Sequence, residues 1–256
     1  MLKRNKRMRK NAILRLAAQG EEGPLKVRRS KRASRMTLSV NEAKRTAVLT
    51  LPAYTSMTAA GEFLDHHYDW LQERLAAMPR PVPFRNGAVV PLRGVEHELR
   101  FTARERGRGV VWIERAPRSP VRGMKSRPRI MVTGGEHAPR RFVEWLRKEA
   151  RRDIAERAAI HAKSLGVRVR KITIRDQTTR WGSCSADGVL SFSWRLILAP
   201  SFVLDYVTAH EVAHLREMNH EPRFWALVKR IFPRMEQGRQ WLRRNGSDLH
   251  RYGAEE

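Results

Sequence analysis

The chain has 256 residues, room for one large domain or two modest ones, and 41% of them are hydrophobic, enough for a buried core. Its 52 Lys and Arg against 26 Asp and Glu leave a net charge of +26. That field draws polyanions such as nucleic acid, nucleotides or acidic lipid, unless it is only a well-solvated basic surface with no specific partner. The single cysteine, Cys184, excludes an intrachain disulfide and fits a reducing compartment, read as cytoplasmic. No apolar run approaches the ~20 residues of a membrane-spanning helix, so no membrane partner is expected.

Residues 1–24 form a basic lead closing on Glu21-Glu22-Gly23-Pro24. It lacks the apolar stretch of a secretory signal and reads as a disordered tail, with a presequence or an anion-binding arm as alternatives. Residues 25–134 read as a strand-rich N-terminal region. Strands are predicted over 35–40, 47–51, 98–102, 110–113 and 129–132, where β-branched residues alternate or cluster. One helix interrupts them, with Thr58 as N-cap and Phe63, Leu64, His67, Trp70, Leu71 and Leu75 at helical spacing, before Pro79, Pro81 and Pro83. The basic run 28–32 is either a phosphate contact or a solvated strand start. His66-His67 has no partner at ligand spacing and reads as surface or packing.

Residues 135–246 are patterned differently, and 247–256 read as a C-terminal tail. Pro139 opens a long helix that Gly166 closes. Phe142, Leu146, Ala150, Ile154, Ala158 and Ala162 fall every fourth residue, one apolar stripe that must be covered. Strands follow over 167–175, 179–185 and 189–198, with Asp187-Gly188 as a hairpin turn. Pro200 then sits in the first turn of another helix. The expected class is α+β: a strand-rich part with one helix, then a domain with a small sheet and an active-site helix.

That last helix carries His210-Glu211-Val212-Ala213-His214. Residues four apart on a helix stand one above the other, so both imidazoles reach one ion, and Glu211 beside them can act as general base on its water. Met218-Asn219 marks a break, and His220 follows as a third candidate ligand before Pro222 starts a new helix through Phe224, Trp225, Leu227 and Val228. Three imidazoles with an open fourth position suit Zn2+, although other divalent metals accept the same ligands. The ligand spacing is that of metzincins, but Glu217 stands where their glycine would be. Asp205 and Glu217 flank the motif as candidate hydrogen-bond partners for a ligand imidazole, and sequence does not choose between them.

The segments Arg180-Trp181-Gly182-Ser183-Cys184, Tyr206-Val207 leading into 210–214, Met218-Asn219-His220 and Phe224-Trp225 together resemble the YgjP-like metallopeptidase domain, related to SprT-like and minigluzincin proteases. The resemblance spans residues 139–245, with a looser likeness back to Val27. It implies a zincin-like fold, with His210, His214 and His220 as metal ligands and Glu211 as catalytic base. Glu221 departs from the family's small residue before the proline and is a poorer helix cap.

A strand through Trp181, Gly182 and Ser183 could offer its edge to an extended polypeptide substrate, or could be a core strand with Trp181 buried and Cys184 filling space. Three functions compete. A zinc metallopeptidase leads. A metal-dependent nucleoside triphosphate pyrophosphohydrolase also fits the charge, without a phosphate-binding Gly-Lys-Ser/Thr loop. A protease acting on nucleic-acid-associated proteins would add nonspecific phosphate contact. A Cys184–His210 nucleophile is the outsider.

Overall fold

The computed structural model describes residues 25–41, 46–103, 109–116 and 127–254. The basic lead 1–24, most of the Arg-rich loop 115–127 and the last two residues of the expected tail lie outside the described residues. Six α-helices and three small sheets make an α+β chain among those residues. The chain divides into two compact units between Arg80 and Pro81, rather than between residues 134 and 135.

In the first unit, strands β1 (Leu25–Ser30), β2 (Thr37–Asn41) and β3 (Thr46–Pro52) form one sheet in the order β1-β3-β2. Ala47, Leu49 and Leu51 alternate along β3 onto one face, as a half-buried strand requires, and join Leu25 in a small core. Helices α1 (Met57–His66) and α2 (Tyr68–Ala76) contribute Ala60, Leu64 and Leu71 to it. The single predicted helix is therefore two. Its cap is Ser56 rather than Thr58, because the Ser56 hydroxyl accepts from Ala59 N at 3.1 Å. His67 breaks the run at φ −104°, ψ 7°. The basic run 28–32 lies largely in β1, where Arg29 spends its guanidinium on the carbonyls of Ala53 and Thr55 at 2.9 and 2.8 Å.

The second unit opens with β4 (Val89–Leu92), β5 (Val95–Thr102), β6 (Val111–Glu114) and β7 (Arg129–Thr133), in the order β4-β5-β7-β6. Helix α3 (Ala138–Leu165) follows and ends at Gly166, left-handed at φ 64°. All six residues of its predicted stripe are buried. They share one core with Leu99, Ile130 and Val132 of the preceding sheet and with Leu190, Phe192 and Trp194 after it. A 28-residue helix with one continuous apolar stripe needs cover along its whole length, so strands before residue 134 and after it belong to one body.

A second sheet pairs β8 (Lys171–Arg175), β9 (Gly182–Cys184) and β10 (Val189–Ser193) in the order β8-β10-β9. β10 runs parallel to β8 and antiparallel to β9, leaving β8 and β9 as edges. The predicted hairpin turn is present: Gly188 takes φ 76° and its N–H donates to Ser185 O at 2.9 Å. The strand predicted to run on to residue 198 stops at Ser193, and a 3-10 turn, Trp194–Ile197, leads into α4 (Ser201–Ala213). Then come α5 (Pro222–Ile231) and α6 (Met235–Asn245), the last not foreseen from apolar periodicity. Residues 247–254 are not a loose tail. Ser247–Arg251 form a 3-10 turn in which Leu249 and His250 are buried, and Tyr252 bridges Val82.

One turn fixes where α4 begins. Arg93 and Gly94, at φ 52° and 79°, donate their N–H groups to the carbonyls of Ile197 and Leu198 at 2.7 and 3.1 Å. The Arg93 guanidinium also binds Asp153 and Glu149 on α3. A Cβ on Gly94 would stand 3.0 Å from Pro200, so glycine lets this turn close on the helix start.

Candidate metal centre

Helix α4 is held by an apolar surface that is buried nearly all round, with Val203, Leu204, Val207, Ala209 and Val212 in the core. Pro200 lies just before the first turn, as the helix N-cap. The helix stops at Ala213, with His214 as its C-cap. The chain then turns through Glu217, Met218 and Asn219 and re-enters a helix at Pro222. Glu221 makes no side-chain cap bond, as its chemistry predicts. The turn is held from both ends. The His214 ring donates from Nδ1 to Glu217 O at 3.1 Å, and Trp225 Nε1 donates to His220 O at 3.1 Å.

This turn brings His220 back over the helix. Single nitrogens of His210, His214 and His220 all lie within 4.8 Å of one another, the only such His, Cys, Asp and Glu group among the described residues. The Nε2 atoms of His210 and His220 face each other at 3.1 Å. Tetrahedral zinc holding imidazoles at about 2.1 Å sets its nitrogens about 3.4 Å apart, within the range spanned. The donor chemistry fits as well. With Nδ1 of His214 committed to a carbonyl, its Nε2 lone pair is free to ligate. Burial pushes the His210 ring down to about 3, aided by the neighbouring His214 and His220, and burial lowers His214 too. Both imidazoles are therefore neutral at pH 7, the form a metal binds. Phe224 is fully buried beneath the group, with its ring centroid 4.8, 4.4 and 4.8 Å from those of His210, His214 and His220. Its role was not evident from sequence, where it looked like one more apolar residue of α5.

Glu211 is 5% exposed, and burial pushes its carboxyl up to about 8, against the opposing charge of Arg180. Gly182 explains how it fits. A Cβ at Gly182 would stand 2.5 Å from Glu211 Oε1 and 2.6 Å from its Cγ, so only glycine lets β9 lie against this side chain. The nearest neighbour at this position is the glutamate itself. Ser183 pairs with Ser191 in the sheet register. Trp181 stacks on His250, centroids 5.1 Å apart. Burial, then the Glu211 charge, pushes the Cys184 thiol up to about 11. A thiol so placed is protonated at neutral pH and is no nucleophile.

The two candidate partners for a ligand imidazole separate cleanly. Glu217 supplies one, through its backbone carbonyl on His214. Asp205 binds His161 of α3 at 2.6 Å, with Arg157 at 3.8 Å. His66 and His67 each donate from Nδ1 to a carbonyl one turn back, Glu62 O and Phe63 O, and gather no further ligand. Helix α6 closes the side of the centre by Tyr206, whose ring lies 6.2 Å from that of His210. A Cβ on Gly238 would meet Tyr206 at 2.6 Å, so α6 approaches α4 at a glycine.

The search of curated proteins found no match. Among solved structures, the metallopeptidase zymogen abylysin of Pyrococcus abyssi is similar at 21% identity, over 40% of this chain and 99% of that chain, with a TM-score of 0.34. A likeness that distant carries no argument. The sequence profile of the YgjP-like metallopeptidase domain matches residues 34–245, a span holding the three histidines, Glu211 and β9. By that match over most of its length, the chain belongs to the YgjP-like metallopeptidase family.

Proposed function

We propose that this protein is a zinc-dependent peptidase in which His210, His214 and His220 hold the ion and Glu211 is the general base. One observation carries the proposal: three imidazole nitrogens converge within 4.8 Å, and the buried carboxylate of the adjoining residue lies against an edge strand. A bound divalent cation supplies Lewis acidity, which acidifies water and polarises a carbonyl oxygen. Glu211, confined between α4 and Gly182, would be held ionised by a nearby cation, against the burial that raises it, and is placed to take a proton from water and return it to the departing amine. Among the described residues, strand β9 pairs along one of its edges, on β10. The other edge can pair backbone to backbone with an extended polypeptide, laying it along Gly182 and Ser183 beside Glu211. Trp181 supports that strand from behind through His250. The single cysteine favours a reducing, cytoplasmic setting.

The test is cleavage of a reduced, carboxymethylated polypeptide. Cleavage should stop with chelator and return with zinc. In Glu211→Gln it should fall by about 10³-fold while the metal stays bound. Cleavage that persists under chelation removes the proposal. Release of pyrophosphate from nucleoside triphosphates, with no proteolysis, transfers the site to phosphoanhydride chemistry.

A further inference from the structure

A groove of about 570 Å³ runs between α3 and the segment leading into β8, and none of its lining residues belongs to the metal centre. Arg151, Ala155, Ala159 and Lys163 line it from the helix. Residues four apart share one helical row, so Arg151 and Lys163 end an alanine trough about 18 Å long. Arg168, Arg170 and Lys171 line it from the other side. All five cations are exposed, and the described lining contains no acidic residue. None of the five forms an ion pair with a described residue. On the same helix Arg140, Arg152 and Arg157 face carboxylates at 3.6, 2.6 and 3.8 Å. Arg141, Arg147 and Lys148 of the same helix also face no described carboxylate, so what sets the groove apart is that five such cations gather round one trough.

We propose that this groove binds single-stranded nucleic acid through its phosphate backbone, without sequence preference. The charge calls for a polyanion, and the shape chooses which one. Arg151 donates to Ile172 O at 2.8 Å, which occupies an outward carbonyl of the β8 edge and blocks an acidic peptide from adding there as a strand. A flat anionic membrane or a stiff duplex rests on the rims and leaves the alanine floor uncovered. A single strand follows the trough, with phosphates on the rim cations and sugars on the floor. No aromatic side chain lines the groove among the described residues, so no base is stacked and read.

The test is fluorescence anisotropy of a labelled oligothymidylate with the full chain. Arg168→Glu/Arg170→Glu should weaken binding by about 30-fold, because two phosphate contacts become repulsions. The exposed pair Lys229→Glu/Arg230→Glu on α5 makes the same change in net charge and should cost less than about 3-fold. The milder Arg168→Ala/Arg170→Ala should lower the slope of log affinity against log salt by about 1.4, and circular dichroism checks that each variant is folded. Equal losses in the two reversed pairs would show the general field alone and overturn the proposal. So would equal competition by a duplex of the same length, by polyglutamate or by phosphatidylserine vesicles.

Discussion

Helix α4 takes part in two histidine arrangements that share an element and differ in what the imidazole faces. At one, His161 of α3 is buried and meets a single carboxylate, Asp205 of α4, at 2.6 Å. Its Nε2 is satisfied by that bond, and the pair ties two helices together. At the other, His210, His214 and His220 turn nitrogens toward one another, and no carboxylate of the described residues pairs with the ring atoms that converge. Facing lone pairs repel unless a proton or a cation stands between them. A buried histidine with a private acceptor is thus a structural link, whereas histidines whose nitrogens face each other make a group that could hold a metal ion. Residue type and burial alone do not separate the two.

The comparison breaks most readily by crossing two substitutions. His214→Ala should lower zinc affinity by more than about 100-fold, beyond the usual cost of losing a ligand's supporting partner, as measured by competition with a chelator. His161→Ala should keep full metal content and lose about 1 kcal/mol of stability in urea, since it removes the closer partner of the part-buried Asp205. Equal metal loss in both variants would erase the distinction. A smaller effect concerns the strand beside the centre. Gly182→Ala should bind metal normally and lower kcat by about 10²-fold, because the added methyl displaces the Glu211 carboxylate. Unchanged kcat would show that the close approach has no bearing on catalysis.

His250 sharpens the contrast as a third kind, stacked on Trp181, hydrogen-bonded to no described carboxylate, and with Nδ1 lacking a partner. Burial, then the charge of Arg195, pushes its ring from 6.5 down to about 4. Above pH 6.5 both folded and unfolded chains hold it neutral, and its contribution is complete. As the pH falls from 6.5 toward 4, the unfolded chain takes up a proton the folded one resists, and stability is lost. Melting temperatures at pH 7.5 and about 4.5 should therefore diverge less in His250→Phe than in the parent. Parallel acid losses would count against it.

Much of the candidate centre was legible because its information is local. Residues four apart on a helix, a helix break and an imidazole after it are properties of a short segment, and His210, His214 and His220 come together as that spacing implies. The long helix α3 was legible for the same reason, from its stripe and from Gly166. Other features were not. The role of Gly182 depends on which side chain a strand nearly thirty residues away is laid against. Phe224 and α6 look like ordinary helical residues until the turn at Asn219 folds them back on α4. Strands β4 and β5 read with the N-terminal region because nothing in their own sequence says which helix covers them. The choice between Asp205 and Glu217 turned on a backbone carbonyl, which no side-chain pattern reports.

By itself, the sequence determined the three candidate histidines, the helix that spaces two of them and the net charge of the chain, because periodicity and composition act within a few turns of chain. The tertiary structure decided which body the strands belong to, what confines Glu211, which histidines are paired, and where uncompensated cations gather. Those are matters of contact between distant segments, fixed by how apolar stripes are covered in three dimensions, and they have no signature in the order of residues alone.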